Sequence, residues 1–214
     1  MKPKLYVVLL GGRPFGATIE QHNVFFGIGN TLKSLFPDIK RFWPAAVPHI
    51  HIDAFWVVNK VDGYDIVLSP NSDIDNNTRH SLQPRCDEGN QNLAKPNEKK
   101  LFFVNLGGYE AGVFAEKHKR LLIVASSQTE AMEKAKTDSF FQTGIMDYAK
   151  KGRPQPHVDD KHQLTDFSAF ADHHTPLDVG ELVKPNYTIK LRRSFAKSHP
   201  KPKTIITGYL KVTG

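Results

Sequence analysis

Short apolar runs alternate along this chain with polar segments that are rich in glycine, proline and charged residues. Residues 5–10 are continuously apolar and end at Gly11-Gly12, and residues 24–28 form a second such run. Runs of this length, bounded by turn residues, are typical of strands buried on both faces of a sheet. Residues 51–58 predict a third strand.

One helix is predicted between the second and third strands. Apolar residues recur at helical spacing from Leu32 to Trp43, and Asn30 is the expected N-cap. Pro37 interrupts this pattern, so the helix should kink or restart there. Asp62-Gly63 then predicts a hairpin turn into a return strand at 64–68. The first part of the chain is thus predicted to run strand-strand-helix-strand-strand.

The segment 5–28 recurs at an offset of 96 residues, and eight of its 24 positions are identical. The shared pattern is L-[YF]-[VF]-V-x-L-G-G-x3-G-x3-E-x-H. Its identical polar and glycine positions are Gly11/Gly107, Gly12/Gly108, Gly16/Gly112, Glu20/Glu116 and His22/His118. A long-period self-similarity of this kind predicts two copies of one structural unit.

The second copy follows the plan of the first less completely. His157-Val158-Asp159 echoes His51-Ile52-Asp53, and Ser127 with Glu130 predicts a capping box at the start of a helix. The Asp-Gly hairpin is missing. Alternating apolar residues resume only at 187–191 and 204–212, so a basic C-terminal β-hairpin is expected to supply the last strands of this copy.

These patterns predict an α+β fold built from two tandem strand-strand-helix-strand-strand repeats. The expected domains are the first repeat at 1–72, a polar linker at 73–99, and a second repeat with a basic C-terminal extension at 100–214. Each copy has strands that are apolar on both faces but only one helix to cover them. The two copies are therefore expected to pack together as one pseudo-symmetric unit.

Composition excludes several classes of protein. With 39% hydrophobic and 24% charged residues the chain is not of the disordered type. It contains no apolar stretch of the roughly 18 residues that a membrane span needs. The first apolar run is too short for a signal peptide. Cys86 is the single cysteine, so an intrachain disulfide is excluded and a cytoplasmic location is expected.

The net charge of +7 comes from the C-terminal end, because no acidic residue follows Glu181. A solvated basic face explains this pattern, and so does a surface that binds nucleic acid or another polyanion, an acidic protein or a membrane surface. The residues of this basic surface are Lys190, Arg192, Arg193, Lys197, Lys201 and Lys203.

Two pairs of side chains carry candidate chemistry. Glu20 and His22, like His51 and Asp53, are two residues apart and so face the same side of an extended chain. If their strands are neighbours, two imidazoles and two carboxylates converge, which suits zinc, manganese or iron. The alternative is a pair of structural Glu-His and His-Asp contacts that hold the glycine segment to the sheet. The second-copy equivalents are Glu116, His118, His157 and Asp159.

The pattern Gly11-Gly12-x3-Gly16 is interpreted as a tight turn that needs a positive φ, since it lacks the spacing of a phosphate-binding loop. The sequence contains no nucleophile elbow, no H-E-x-x-H motif and no paired cysteines. No cofactor is therefore expected, with a divalent transition metal as the alternative.

The glycine pattern, Glu20-x-His22, His51-Ile52-Asp53 and Val61-Asp62-Gly63-Tyr64 together resemble the bacterial family named domain of unknown function 1543. The resemblance covers about residues 3–70 and, less completely, 100–160. The family is described with one or two copies per protein, which supports the repeat but implies no activity. The preferred hypothesis is a non-enzymatic binding protein. The alternatives are a metal-dependent or acid/base enzyme using the Glu-x-His and His-x-Asp clusters, and nucleic-acid binding through the basic segment.

Overall fold

The computed structural model describes residues 2–71, 98–109, 114, 116–140, 157–159, 176–183, 187–194 and 205–212. The chain divides into two compact units. The first comprises residues 1–72 with 183–214, and the second comprises residues 73–182. Both units combine antiparallel strands with short helices, so the predicted α+β class is confirmed.

The described elements are named here in chain order. They are β1 (Lys4–Gly12), β2 (Gln21–Gly29), α1 (Phe36–Phe42), β3 (His51–Val58), β4 (Lys60–Val61), β5 (Tyr64–Pro70), β6 (Lys100–Tyr109), β7 (Glu116–Ala125), α2 (Gln128–Lys136), β8 (His157–Asp159), β9 (Leu177–Asp178), α3 (Val179–Leu182), β10 (Tyr187–Arg193) and β11 (Ile205–Lys211).

The first unit is built on a four-stranded antiparallel sheet in the order β11-β3-β1-β2, beside a three-stranded sheet in the order β10-β5-β4. Alternate residues of β1, namely Tyr6, Val8 and Leu10, pack in one buried cluster with Ile39 of α1. Because strand side chains alternate between faces, Gly11 lies on the opposite face of the sheet from α1. The candidate site is on that face.

The start of α1 differs from the sequence expectation. A short 3-10 turn covers Lys33–Leu35, and α1 begins at Phe36 with Pro37 in its first turn. Proline is well tolerated there because its missing N–H would lack a helical partner anyway. The expected restart at Pro37 is confirmed, whereas Asn30 as N-cap is wrong. Thr31 Oγ1 instead accepts a hydrogen bond from the backbone N–H of Ser34 at 3.2 Å.

The second unit has a sheet in the order β7-β6-β8, and β9 also pairs with β6. Ala131 and Ala135 of α2 are fully buried in one cluster with alternate residues of β6. The side chain of Ser127 accepts a hydrogen bond from the N–H of Glu130 at 3.1 Å, as the capping box predicts. The Glu130 carboxylate in turn accepts from the N–H of Ser126 at 2.7 Å, one residue earlier than the motif implies.

The C-terminal strands belong to the first unit, so the prediction of a basic C-terminal hairpin extending the second repeat is wrong. β10 pairs with β5 and β11 pairs with β3, both antiparallel. The edge strands β3 and β5 have backbone N–H and C=O groups that need partners, and the C-terminal segment supplies them. Apolar alternation predicts a strand but does not identify the edge that the strand joins.

Within the part of the chain that the structure describes, no helix has both the length and the apolar character needed to cross a membrane.

Candidate metal centre

The site is organised around Gly11 in the middle of three neighbouring strands. Gly11 lies opposite His22 of β2 on one side and opposite His51 of β3 on the other. Residues directly opposite each other in an antiparallel sheet direct their side chains to the same face. Since Gly11 has no side chain, the two imidazoles share the space above it. We call Glu20, His22, His51 and Asp53 the quartet.

Gly11 is required for its close approach and not for its φ angle. A Cβ atom at this position would lie 2.4 Å from His51 Nε2 and 2.7 Å from Asp53 Oδ2. Among the described residues the glycines with positive φ are Gly16, Gly63 and Gly208. Gly11 and Gly12 continue β1, so the tight-turn interpretation is wrong for these two residues. Gly16 has a φ of 83°, as that interpretation requires.

Two strand irregularities fall at the same place. The β1–β3 register shifts so that Asp53 is an extra residue between Ile52 and Ala54. The β11–β3 register shifts between Thr207 and Leu210, opposite Asp53. Bulges of this kind redirect side chains and are common beside functional sites.

The donor atoms of the quartet lie at short distances from one another. His51 Nε2 is 3.4 Å from Glu20 Oε2 and 3.2 Å from Asp53 Oδ1. His22 Nε2 is 3.5 Å from Glu20 Oε1 and 3.2 Å from Asp53 Oδ2. Each imidazole thus faces one oxygen of each carboxylate. The convergence was expected only for neighbouring strands, whereas here the side chains of β2 and β3 meet across β1 at Gly11.

Three members of the quartet form the tightest group. Glu20, His51 and Asp53 each offer one ligand atom, and these atoms lie within 4.8 Å of one another. His22 is outside this triad and approaches the second oxygen of each carboxylate. The quartet therefore consists of a triad and one flanking histidine.

The tautomer of His51 follows from its second contact. Its Nδ1 lies 3.2 Å from the backbone carbonyl oxygen of His49. A carbonyl only accepts hydrogen bonds, so this contact places a proton on Nδ1. In the neutral ring Nε2 then presents a lone pair to two carboxylate oxygens. Such a group of acceptors is stable only with a cation among them, either a second proton on the ring or a metal ion.

Burial is uneven across the quartet. The His51 side chain is 5% exposed, whereas His22 and Glu20 are 46% and 47% exposed. Asp53 Oδ2 is buried and accepts no hydrogen bond from any residue in the described part of the chain. The site is thus closed on the His51 side and open to solvent on the Glu20 and His22 side.

Tyr209 of β11 also belongs to this site, and no local sequence pattern indicated it. Its ring stacks on the His51 ring with centroids 4.3 Å apart and a 31° angle between the planes. Gly208 precedes it with φ of +150°, inside the irregular stretch of β11. Tyr209 is also 66% exposed, so it forms the solvent-facing cover of His51.

The second copy repeats part of this arrangement. Gly107 of β6 lies opposite His118 of β7 and opposite His157 of β8. His118 Nε2 is 3.7 Å from Glu116 Oε2. Asp159 lies opposite Asn105 in the backbone register, and the side chains of His157 and Asp159 are outside the described residues.

The basic surface is only partly described. Lys190 and Arg192 lie on the exposed face of β10, and Arg192 is 3.5 Å from Asp65. Arg193 is the last residue of the same strand and is also exposed. The other members, Lys197, Lys201 and Lys203, lie outside the described residues.

Comparison with known proteins finds a family-model match over part of the chain. A family model described as Domain of Unknown Function (DUF1543) matches residues 17–68, which confirms the expected resemblance over that segment. All four residues of the quartet lie inside it. No curated protein is significantly similar to the chain.

A solved structure shares the fold. The crystal structure of a protein Il1583 from Idiomarina loihiensis matches with a TM-score of 0.57 and 22% sequence identity, and the match covers 100% of both chains. At this level of identity the likeness concerns the fold alone.

Proposed function

We propose that the quartet binds a divalent transition-metal ion at a catalytic type of site. In this proposal Glu20, His51 and Asp53 are the ligands, and His22 flanks the open side of the ion. The observation that carries the proposal is the position of His51 Nε2, which faces two carboxylate oxygens at 3.4 and 3.2 Å while Nδ1 faces the carbonyl oxygen of His49.

The separations between donor atoms support a metal ion. With metal–nitrogen and metal–oxygen bonds of about 2.0–2.2 Å, ligand atoms in a tetrahedral site are about 3.3–3.6 Å apart. The contacts of His51 Nε2 with Glu20 and Asp53 are close to this range. One imidazole with two carboxylates favours zinc, manganese or iron over the softer metals that thiolates select.

The exposure of the site supports a catalytic role over a structural one. Structural zinc sites are closed by four protein ligands, whereas catalytic sites keep a position for water or substrate. Here three ligands converge, and the open side carries Glu20 and His22, each about half exposed. A metal ion held there would lower the pKa of a bound water molecule. His22 on the open side would accept its proton, so metal-assisted hydrolysis is the reaction class that this arrangement fits best.

Metal content tests the ligand assignment. The purified full-length chain should contain a near-stoichiometric transition metal by elemental analysis, and His51→Ala and Asp53→Asn should each lose one equivalent. His49→Ala is the matched control, because the neighbouring His49 contributes only its backbone carbonyl. Absence of bound metal after incubation with zinc, manganese and iron(II), or retention of the full content by both variants, would refute the proposal.

A second measurement separates the role of His22 from that of His51. Titration with zinc should show an affinity loss of about 100-fold or more for His51→Ala and less than about tenfold for His22→Ala, since only His51 belongs to the triad. Equal losses for both variants would mean that His22 is a ligand. Unchanged affinity with a large fall in melting temperature would make the quartet a structural cluster, as the alternative interpretation of the sequence states.

We further propose that the chain carries two copies of the family unit. The equal positions of Gly11 and Gly107 between flanking histidines support this, together with the constant offset of 96 residues between the paired registers of β1–β2 and β6–β7. A bacterial origin and a cytoplasmic location remain part of the proposal. Their support is the family resemblance and the single cysteine.

A further inference from the structure

We infer that the groove beside the quartet is the substrate subsite of this centre, and that it takes a small ligand with an oxyanion group and an apolar body. The inference rests on the proposed metal function. The groove is formed by the loop after β1 and the segment before β3, and it has a volume of about 690 Å³. This volume lies within the usual range for small-molecule sites, about 300–1,000 Å³.

The groove is adjacent to the quartet along both chain segments that form it. One segment includes Thr18, two residues before the ligand Glu20. The other ends at His49, whose carbonyl accepts the hydrogen bond from His51 Nδ1. Each lining segment thus ends two residues before a proposed metal ligand, Glu20 or His51, and Glu20 with His22 forms the half-exposed side of the quartet.

The lining carries no acidic residue and is mainly apolar, with Pro14, Phe15, Ala17, Val47 and Pro48 among its residues. Phe15 is fully exposed and Val47 is 43% exposed. Exposed apolar side chains gathered at one concave surface are a feature of binding sites, and an aromatic ring gains most from covering a flat apolar group.

Arg13 determines the charge of the ligand. Its Nε donates a hydrogen bond to the carbonyl oxygen of Ala17 at 3.1 Å, which positions the side chain at the groove. Among the described residues no carboxylate forms an ion pair with Arg13. The two terminal amino groups of its guanidinium are thus available for a carboxylate or a phosphate, which arginine binds in a bidentate manner.

Calorimetric titration of the full-length chain with three aromatic probes tests the subsite. Phenylphosphonate and benzoate carry the two oxyanion types, and benzamide is the neutral control of similar shape. Arg13→Gln should weaken binding of both anions about tenfold or more and leave benzamide unchanged. Phe15→Ala should weaken all three. Arg41→Gln is the matched control, because this exposed arginine lies on α1 and already pairs with Asp38.

The two anions distinguish the natural chemistry. Tighter binding of phenylphosphonate than of benzoate assigns the subsite to phosphate groups, and the reverse order assigns it to carboxylates. If neither anion is sensitive to Arg13→Gln, or if benzamide binds as tightly as both, the inference is wrong.

Zinc loading separates this inference from the metal proposal. The loaded chain should bind the preferred anion more tightly than the metal-free chain, and Asp53→Asn should remove that gain without removing the effect of Arg13→Gln. Metal binding with no Arg13-dependent anion binding would overturn the subsite alone. Arg13-dependent binding in a chain that takes up no metal would overturn the proposed function, and the assignment as a substrate subsite with it.

Discussion

Replacing Gly11 by alanine tests the geometry of the quartet with a single added carbon atom. That atom would lie 2.4 Å from His51 Nε2 and 2.9 Å from His51 Cε1. Ordinary contacts between such atoms are about 3.4 Å or longer, so the imidazole must move by about 1 Å. Because its side chain is only 5% exposed, the ring has little room to move without displacing its neighbours.

A displacement of this size is large for a metal ligand. Metal–nitrogen distances in proteins hold within about 0.2 Å of their usual values, so a shift of about 1 Å removes His51 from the coordination sphere. We expect Gly11→Ala to weaken zinc binding about 100-fold or more. The added methyl group should also cost about 1–3 kcal/mol of folding stability, the usual range for overpacking.

The next residue provides the matched control. A Cβ atom at Gly12 would lie 2.8 Å from Ala46 Cβ, on the face of the sheet that packs against α1. Gly12→Ala should therefore destabilise the fold by a similar amount and leave zinc affinity within about threefold of wild type. Chemical denaturation measures the free energy of unfolding of both variants, and competition with a colorimetric chelator measures zinc affinity.

The comparison has one refuting result. If Gly11→Ala and Gly12→Ala are equally destabilised and equally competent in zinc binding, the close packing of His51 over Gly11 has no role in the site. If only Gly11→Ala loses affinity while the two have equal stability, the row His22–Gly11–His51 is the structural basis of binding.

Three further predictions concern the surroundings of the site and the two units. Tyr209→Ala should weaken zinc binding several-fold in competition assays, because the ring that stacks on His51 is lost. Tyr209→Phe keeps the ring and should bind zinc as wild type does. Equal affinities for wild type and both variants would exclude a role for the stacking. Lys134, Lys99 and Ser126 donate hydrogen bonds to Glu130 and hold the pKa of its carboxyl far below the ordinary 4.5. This lowered pKa adds stability at neutral pH that is lost as the pH falls below about 4.5. Chemical denaturation should therefore show that Glu130→Gln has a lower free energy of unfolding than wild type at pH 7, and that this difference is smaller at pH 3. If the difference in free energy of unfolding is the same at both pH values, the ionised Glu130 carboxylate does not supply this stability. Deleting 183–214 should lower both the melting temperature and the zinc affinity, because β10, β11 and the buried Val212 belong to the first unit. A shortened chain with the melting temperature of wild type would contradict the pairing of β10 with β5 and of β11 with β3.

The basic surface is better tested by substituting single residues than by deleting 183–214. Deleting the C-terminal segment removes two sheet strands as well as its positive charges, so a loss of polyanion binding on deletion has two explanations. Replacing Lys190 by glutamine removes a charge from the exposed face of β10 and leaves the strand in place. Salt-dependent binding of nucleic acid that this change weakens would support the polyanion hypothesis.

Local signals in the sequence were sufficient for most elements of the first unit. The apolar run ending at Gly11-Gly12 is β1, and the Asp62-Gly63 turn has positive φ at both residues, 48° and 79°, as a two-residue hairpin requires. These features depend on neighbours in sequence. The expected N-cap was wrong because α1 begins at Phe36, with Pro37 in its first turn, and Asn30 is six residues earlier.

Features that depend on distant parts of the chain were not predictable in the same way. The sequence of β10 alternates between exposed and half-buried residues, and such a strand fits the free edge of either unit. Tyr209 stacks on His51 only because β11 joins β3 with a shifted register. Neither the partner strand nor the shift leaves a signal in the local pattern. How the two copies are arranged relative to each other stays a prediction.

The convergence of the quartet was partly predictable from the sequence. Two-residue spacing placed Glu20 with His22 and His51 with Asp53, but it did not show that the two pairs would meet. The role of Gly11 indicates that the two pairs meet. A turn glycine is recognised by a positive φ, and Gly11 has none; it lies in a strand, where glycine is otherwise unfavourable. Gly11 is explained by the close approach of His51 and Asp53 from β3. It recurs as Gly107, again opposite a histidine on each side. A Glu-x-His pair at a fixed distance from such a glycine is therefore a stronger indication of a shared site than either motif alone.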